Sequence, residues 1–293
     1  MTFLEFCEAT KKEIEQKVNP EFTIKINETM KNNGEKLTGL SIIKDEGSVT
    51  PIIYLEDLYH DFQNGQTVPE IAETAIHILT QYENPKLDFD AADFACFEKQ
   101  KNCIGIRLIN TERNRDMLTN VPHIDFLDLS IIFICIVKNE RKEIVGSITI
   151  QNDFLDEWGV TTNELYELAK ENMKRELPSI TMSLSELLGI DMPENNLIMI
   201  SNNNKNFGAA AILYDDTLER LAKQCDSDLF ILPSSIHECL ALPVCSADDI
   251  NDTAATIKGT IEDVNKTMVS EKEFLSDNLY FYSKDKNTLK IFE

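Results

Sequence analysis

Phe3, Phe6, Cys7, Thr10, Ile14 and Val18 recur at steps of three and four, with mostly charged residues between them. That period puts one buried face on a helix from about Thr2 to Val18. The pattern then changes. FTIKINETMKNNGEKLTGLSIIK alternates around Asn33-Gly34, a pair suited to the positive φ angles of a tight turn, so an antiparallel hairpin is expected. YLEDLYHDFQNG and TVPEIAETAIHILTQYEN return to the helical period. In the second, Thr67 and Glu70 stand in capping-box register and Pro69 falls in the first turn, where a missing N–H costs little. Asn84-Pro85 breaks the run.

Residues 89–100 read as helical and CIGIRLI as a strand. NTERNRDMLTN, a polar helix or turn, leads to two strands, LSIIFICIVK and EIVGSITI, joined by the charged turn NERK. The first of these is apolar at successive positions, which predicts a central strand covered on both faces. GVTTNELYELAKENMKREL predicts a helix capped by Thr161 and Glu164, with Lys174 and Arg175 late in it and Pro178 ending it. PSITMSLSELLGIDMPENN reads as a junction. Beyond it, strands NLIMIS and AAAILY flank the polar turn NNNKNFG, and a helix opens at Asp215 or Asp216. Two strands then flank PSSIHEC. Ile250, Ala254, Ile257, Ile261, Val264 and Met268 mark a long helix from about Ala247 to Met268, and strands NLYFYSK and TLKIF close the chain.

Strands that arrive in pairs between helices predict an α+β class, with mostly antiparallel strand pairs interleaved with helices. At 293 residues the chain exceeds one average domain. Two α+β domains are expected, 1–180 with a sub-boundary near 85, and 181–293.

Charge narrows the partners. The 28 basic and 51 acidic residues give −23, and the excess is spread along the chain: residues 1–150 carry 16 against 25, residues 151–293 carry 12 against 26. Such a field repels phosphate backbones and anionic lipid, so direct nucleic-acid or membrane binding is not expected. The seven cysteines are odd in number, lack a C-x-x-C pair and lie partly inside apolar runs, which fits a reduced cytoplasm. The N-terminal residues have no basic segment followed by an apolar core, and the longest apolar run, 131–137, is far shorter than a membrane span. A cytoplasmic protein is expected.

Two stretches carry candidate chemistry. In FILPSSIHECLALP an extended chain puts Ser235, His237 and Cys239 on one face, with neighbours about 7 Å apart. A nucleophile and its base need about 2.6–3.2 Å, so strand–turn–strand is the simpler reading. Ser235 and Glu238 also fit a capping box, but Pro243 leaves no room for a helix. The hydrolase alternative uses His237 as base with Ser234 or Ser235, Glu238 as the orienting acid, and Arg113 and Arg115 as an anion site. The second stretch, RLINTERNRD, holds three of the six arginines, Arg107, Arg113 and Arg115, with Lys99 and Lys101 before it and His123 after it. Arginine forks match carboxylate or phosphate. Arg107, Arg113, Arg115 and His123 are therefore the ligand-binding candidates, against the alternative of pairing with Glu112, Asp116, Asp125 or other local acids.

His237, Cys239, Cys245 and Cys225 match no zinc spacing, and Cys239 and Cys245 read as packed thiols. Asp215-Asp216 and Asp248-Asp249 sit at predicted helix starts, where carboxylates cap N–H groups, and His60 and His77 read as structural. No metal or cofactor is expected. Nucleophile elbow, Walker loop, dinucleotide fingerprint, H-E-x-x-H and EF-hand patterns do not occur.

TPIIYLEDLYHDFQNG, DEWGVTTNELYELAKENM, NTERNRDMLTNVPH and SDLFILPSSIHECLALP together resemble an uncharacterised domain-of-unknown-function family of anaerobic Gram-positive gut bacteria, through most of the chain. The resemblance implies a bacterial cytosolic protein and brings no activity or site residues with it. The functional expectation is a non-enzymatic binding or regulatory protein that presents an acidic surface to a protein partner, with Arg107–His123 as an anion-contacting segment. The hydrolase comes second. An acidic nucleic-acid mimic comes third, because the carboxylates are dispersed rather than striped.

Overall fold

A computed structural model describes residues 1–43, 52–81, 94–139, 141–183, 185–186, 197–244, 250–251, 254–255, 257–259, 265, 267 and 269–292. The chain divides into two compact units, Met1–Phe94 with Val137–Gly146, and Ala95–Ile136 with Ser147–Glu293.

In the first unit, α1 (Phe3–Lys17) starts on a capping box in which Thr2 and Glu5 exchange hydrogen bonds. β1 (Thr23–Met30) and β2 (Lys36–Ile43) form the expected antiparallel hairpin, with Asn33 at φ 60° and Gly34 at φ 72° in its turn. Short β3 (Ile53–Tyr54) completes a sheet of order β1-β2-β3. α2 (Leu55–Gln63) and α3 (Val68–Gln81) join α1 over this sheet, and Phe6, Ile14, Leu40, Leu55 and Ile71 form the buried centre. Glu70 accepts from both the N–H and the hydroxyl of Thr67, as their spacing predicts.

The second unit contains β4 (Ile104–Asn110), β5 (His123–Phe126), β6 (Leu129–Lys138) and β7 (Ile144–Thr149), with order β4-β6-β5 and β7 also paired to β6. The tip of the β6–β7 hairpin is the 137–146 piece counted with the first unit. Nine of the ten β6 positions are buried, so the strand is central and covered on both faces, as its unbroken apolar run requires. A six-stranded sheet follows, of order β13-β12-β10-β11-β9-β8, built from β8 (Ser179–Ser183), β9 (Ile198–Asn202), β10 (Leu229–Leu232), β11 (Cys239–Pro243), β12 (Tyr280–Ser283) and β13 (Thr288–Ile291). Its neighbours pair antiparallel. The stretch 230–243 is thus a hairpin corner, with Phe230 opposite Leu242. Antiparallel sheets with interleaved helices make the fold α+β.

AAAILY departs from the expected strand. Gly208–Leu213 is a buried 3₁₀ helix. Alanine fits a pleated surface poorly, and Gly208 lies so close to β9 that an added Cβ would meet Ser201 and Asn202. NTERNRDMLTN forms a 3₁₀ turn, Glu112–Asn114, running into α5 (Arg115–Leu118); α4 spans Phe97–Gln100, and residues 89–93 of the helix expected there lie outside the described residues. The described positions of the long C-terminal segment, 250–251, 254–255, 257–259, 265 and 267, are helical. Asn84-Pro85 and the junction residues 187–196 lie outside the described residues.

α6 (Asn152–Trp158) ends on left-handed Gly159, and α7 (Thr162–Glu176) begins on the predicted Thr161–Glu164 capping box. α7 packs along β4. The Asn172 amide donates to the carbonyls of Lys101 (2.7 Å) and Ile104 (2.9 Å), which fixes where β4 begins. Asn172→Ala leaves both carbonyls without this donor and is expected to lower stability by about 1–3 kcal/mol, read as a shift in the urea midpoint at unchanged slope.

Candidate functional site

β6 sets the geometry of the site. Its Ile132 lies opposite Arg107 on β4 and opposite His123 on β5, so the three residues form one cross-strand row with side chains on the same face. Arg107 runs inward from that row. Its Cζ lies 5.4 Å from the centre of the Phe207 ring, and its Nη2 lies 3.4 Å from Thr149 Oγ1. The residue keeps part of its surface in water, yet its Nε is sealed from solvent and has no hydrogen-bond partner. Burial alone pulls the guanidinium down to about 10, and no neighbouring acid contributes. The group is therefore charged at neutral pH. Desolvating such an ion costs on the order of several kcal/mol unless a counter-ion offsets it, and among the described residues none forms an ion pair with it.

Phe207, the ring beneath Arg107, has φ 54° and ψ 27°, a left-handed conformation uncommon for a bulky side chain. Its surroundings impose it. Asn202 Oδ1 accepts the N–H groups of Asn204 (3.0 Å) and Asn206 (3.4 Å), while Asn202 Nδ2 donates to the carbonyl of Asn206 (2.8 Å). The Phe207 N–H donates to His237 Nδ1 at 3.3 Å, and the two rings stack with centres 6.0 Å apart and planes 19° apart. A side chain at the next position is impossible without movement: a Cβ on Gly208 would lie 2.0 Å from Ser201 Oγ, 2.5 Å from the His237 carbonyl and 2.8 Å from the Asn202 nitrogen. Because Nδ1 accepts, a neutral His237 carries its proton on Nε2, which faces Glu273 Oε1 at 3.9 Å.

The serines next to His237 have other partners. Ser235 Oγ donates to Glu238 Oε1 (2.6 Å) and accepts the His237 backbone N–H (3.0 Å). Ser234 Oγ pairs with Asn265 Oδ1 at 3.1 Å. The corner is fastened to residues 271–276: Ser235 bridges Phe274, and the Ile236 N–H donates to the Glu273 carbonyl at 2.9 Å. Arg113 reaches the same segment, where it pairs with Glu271 and holds its Cζ 3.8 Å from the centre of the Phe274 ring. His237 and Arg113, far apart in sequence, thus meet adjoining residues of one turn. Arg115 stands out in solvent, paired with Glu112. His123 donates from Nδ1 to the Val121 carbonyl at 3.0 Å. Of the four ligand candidates, Arg107 and His123 share a row, Arg113 lies at the 271–274 turn and Arg115 on the surface.

Among the described residues, no group of three or more His, Cys, Asp or Glu side chains is placed to hold a metal. Cys239 is fully buried with Sγ 3.9 Å from the Ala209 carbonyl, and burial pushes its thiol up. Cys245 and Asp248-Asp249 lie outside the described residues. Asp216 occupies the N-cap of α8 (Thr217–Cys225), but its carboxylate pairs with Arg220 instead of capping the helix amides. Asp215 is held below the usual carboxylate range by its hydrogen bond from Lys174, with Lys170 adding to it. Phe207, Thr149 and Glu273 are site residues that the sequence pattern did not single out by role; the Asn-rich run before Gly208 was the only signal.

A family model described as "Family of unknown function (DUF5688)" matches residues 3–284, and the chain belongs to that family. No curated protein and no solved structure matches the chain. Gly208→Ala, by forcing Ser201, Asn202 and the His237 carbonyl apart, is expected to cost about 1–3 kcal/mol, measured by denaturant unfolding against Gly146→Ala, where nothing lies within 4 Å of the added Cβ.

Proposed function

We propose that this chain is a non-enzymatic binding protein whose recognition group is Arg107. One observation carries the reading: a guanidinium drawn out of water over Phe207, with Thr149 as its one side-chain hydrogen-bond partner and no acid to neutralise it among the described residues. A protein that retains an uncompensated buried cation while carrying a net charge of −23 has the charge where a ligand can supply the missing partner. Charge-assisted hydrogen bonds to an anion would offset the desolvation that the free protein bears.

The chemistry favours a carboxylate monoanion. A single guanidinium and a hydroxyl suit one carboxylate, and the overall negative field opposes a dianion twice as strongly as a monoanion. The hydroxyl partners of Ser234 and Ser235, Asn265 and Glu238, support binding over hydrolysis. The acidic surface supports a protein partner as the bearer of that carboxylate. We propose the cytoplasm of an anaerobic Gram-positive bacterium as its setting; Cys7, Cys96, Cys103, Cys135, Cys225 and Cys239 are free thiols, and no described helix is long and apolar enough to cross a membrane.

The test compares wild type with Arg107→Met and Arg113→Met by thermal unfolding in sodium acetate, sodium benzoate or sodium phosphate, against chloride of equal ionic strength. Carboxylates should raise the wild-type and Arg113→Met melting temperatures more than phosphate does, and Arg107→Met should remove the rise. Ligand-free Arg107→Met should itself melt no lower than wild type, because it loses an unpaired buried charge. An equal carboxylate response in Arg107→Met, or none in any protein, overturns the assignment.

A further inference from the structure

A second chemistry lies at the start of β4, independent of the anion site. Cys103 sits in the turn just before β4, and Cys135 lies on β6 as the Cα partner of Ile104. The Cys103 carbonyl accepts the Ile136 N–H at 2.8 Å, so the two cysteines stand diagonally across neighbouring strands; such strands run about 4.7–4.9 Å apart, and a disulfide spans Cα separations of about 4.4–6.8 Å. Strict alternation would turn residues 103 and 135 to opposite faces, but Cys103 belongs to the turn that enters β4, and its sulfur sits on the Cys135 side. Its Sγ donates to the Gln100 carbonyl at 2.9 Å and lies 3.3 Å from Gln100 Oε1; Cys135 Sγ lies 3.3 Å from the same Oε1. Two thiols therefore converge on one amide oxygen, and a hydrogen bond with Cys103, together with burial, pushes the Cys135 thiol up.

Their exposures differ. Cys103 is half-buried, whereas Cys135 is fully enclosed. Solvent therefore touches part of Cys103 and none of Cys135. We infer that Cys103 and Cys135 are a peroxide-responsive thiol pair that closes to a reversible disulfide between β4 and β6.

The steps balance. The Cys103 thiolate attacks one oxygen of hydrogen peroxide, the O–O bond breaks, and a sulfenic acid forms with release of hydroxide. The Cys135 sulfur then attacks the Cys103 sulfur; the S–O bond breaks, and the departing hydroxyl leaves as water with the Cys135 proton. In sum, two thiols and one peroxide give one disulfide and two waters. Gln100 holds both thiols beside each other in the reduced state, and cytoplasmic disulfides of this kind are transient and redox-sensing.

The experiment treats the full chain with hydrogen peroxide near equimolar to protein, then maps peptides without reduction. Wild type should give a linked Cys103–Cys135 peptide and an intact mass lower by two hydrogens, both reversed by dithiothreitol. Cys135→Ser should stop at a Cys103 sulfenic acid trapped by dimedone, and Cys103→Ser should give neither product. Three results overturn the pair: a link from Cys103 to exposed Cys96, Cys103 over-oxidation in wild type without a link, or no reaction at either cysteine. None of them bears on the carboxylate response of Arg107, which is read without oxidant.

Discussion

A strand that is apolar on both faces has to be enclosed, and β6 is that strand. From Leu129 to Val137 every position is buried, so hydrogen-bonded neighbours must flank it on both edges and side-chain layers must cover it above and below. β4 on one edge carries Arg107, and β5 on the other carries His123. The turn just before β6 fixes the rest of the site. Asp128 accepts hydrogen bonds from Ser276 (2.6 Å), Asn278 (2.9 Å) and the Tyr280 hydroxyl, while Asn110 at the end of β4 donates to the Leu275 carbonyl (2.9 Å). The segment that receives Arg113 and the His237 corner is therefore fastened to the ends of the same sheet. Charge and hydrogen bonding hold it there, and apolar burial decides where the sheet itself lies.

Three arginines close together in sequence have three environments. Arg115 and Glu112 are both exposed, and a pair of that kind contributes about 0–1 kcal/mol. Arg113 combines an acid, Glu271, with an aromatic face, Phe274, which anchors a turn. Arg107 alternates inward on its strand, forms no ion pair among the described residues, and meets an aromatic ring and a hydroxyl. Strand periodicity separates it from the other two: it lies within β4, whereas they lie in the 3₁₀ turn and α5 that follow.

Local pattern carried much of the fold. The Asn33-Gly34 turn, the Thr67–Glu70 and Thr161–Glu164 caps, the buried run of β6 and the hairpin around Ser235 each follow from neighbours in sequence, where propensity and periodicity act. The site did not. Phe207 sits in a left-handed conformation that Asn202 and His237 enforce, and the second of these lies thirty positions away. AAAILY reads as a strand because its composition is apolar, yet it forms a 3₁₀ helix whose first residue, Gly208, packs where an added Cβ would meet Ser201 and the His237 carbonyl, neighbours supplied from across the fold. The convergence of Cys103 and Cys135 on Gln100 likewise depends on strand register, which spacing alone does not contain.

The division of the chain has a consequence for its synthesis. The first unit is discontinuous: its last piece, Val137–Gly146, is made only after Ala95–Ile136 of the second has been synthesised. At about 5–20 residues per second, the N-terminal sheet and helices wait several seconds for that piece. During the interval β4 and most of β6 emerge before β7 exists to cover the part of β6 that β5 leaves open, so a stretch prone to stick to other nascent chains is the same apolar strand on which the finished protein is built.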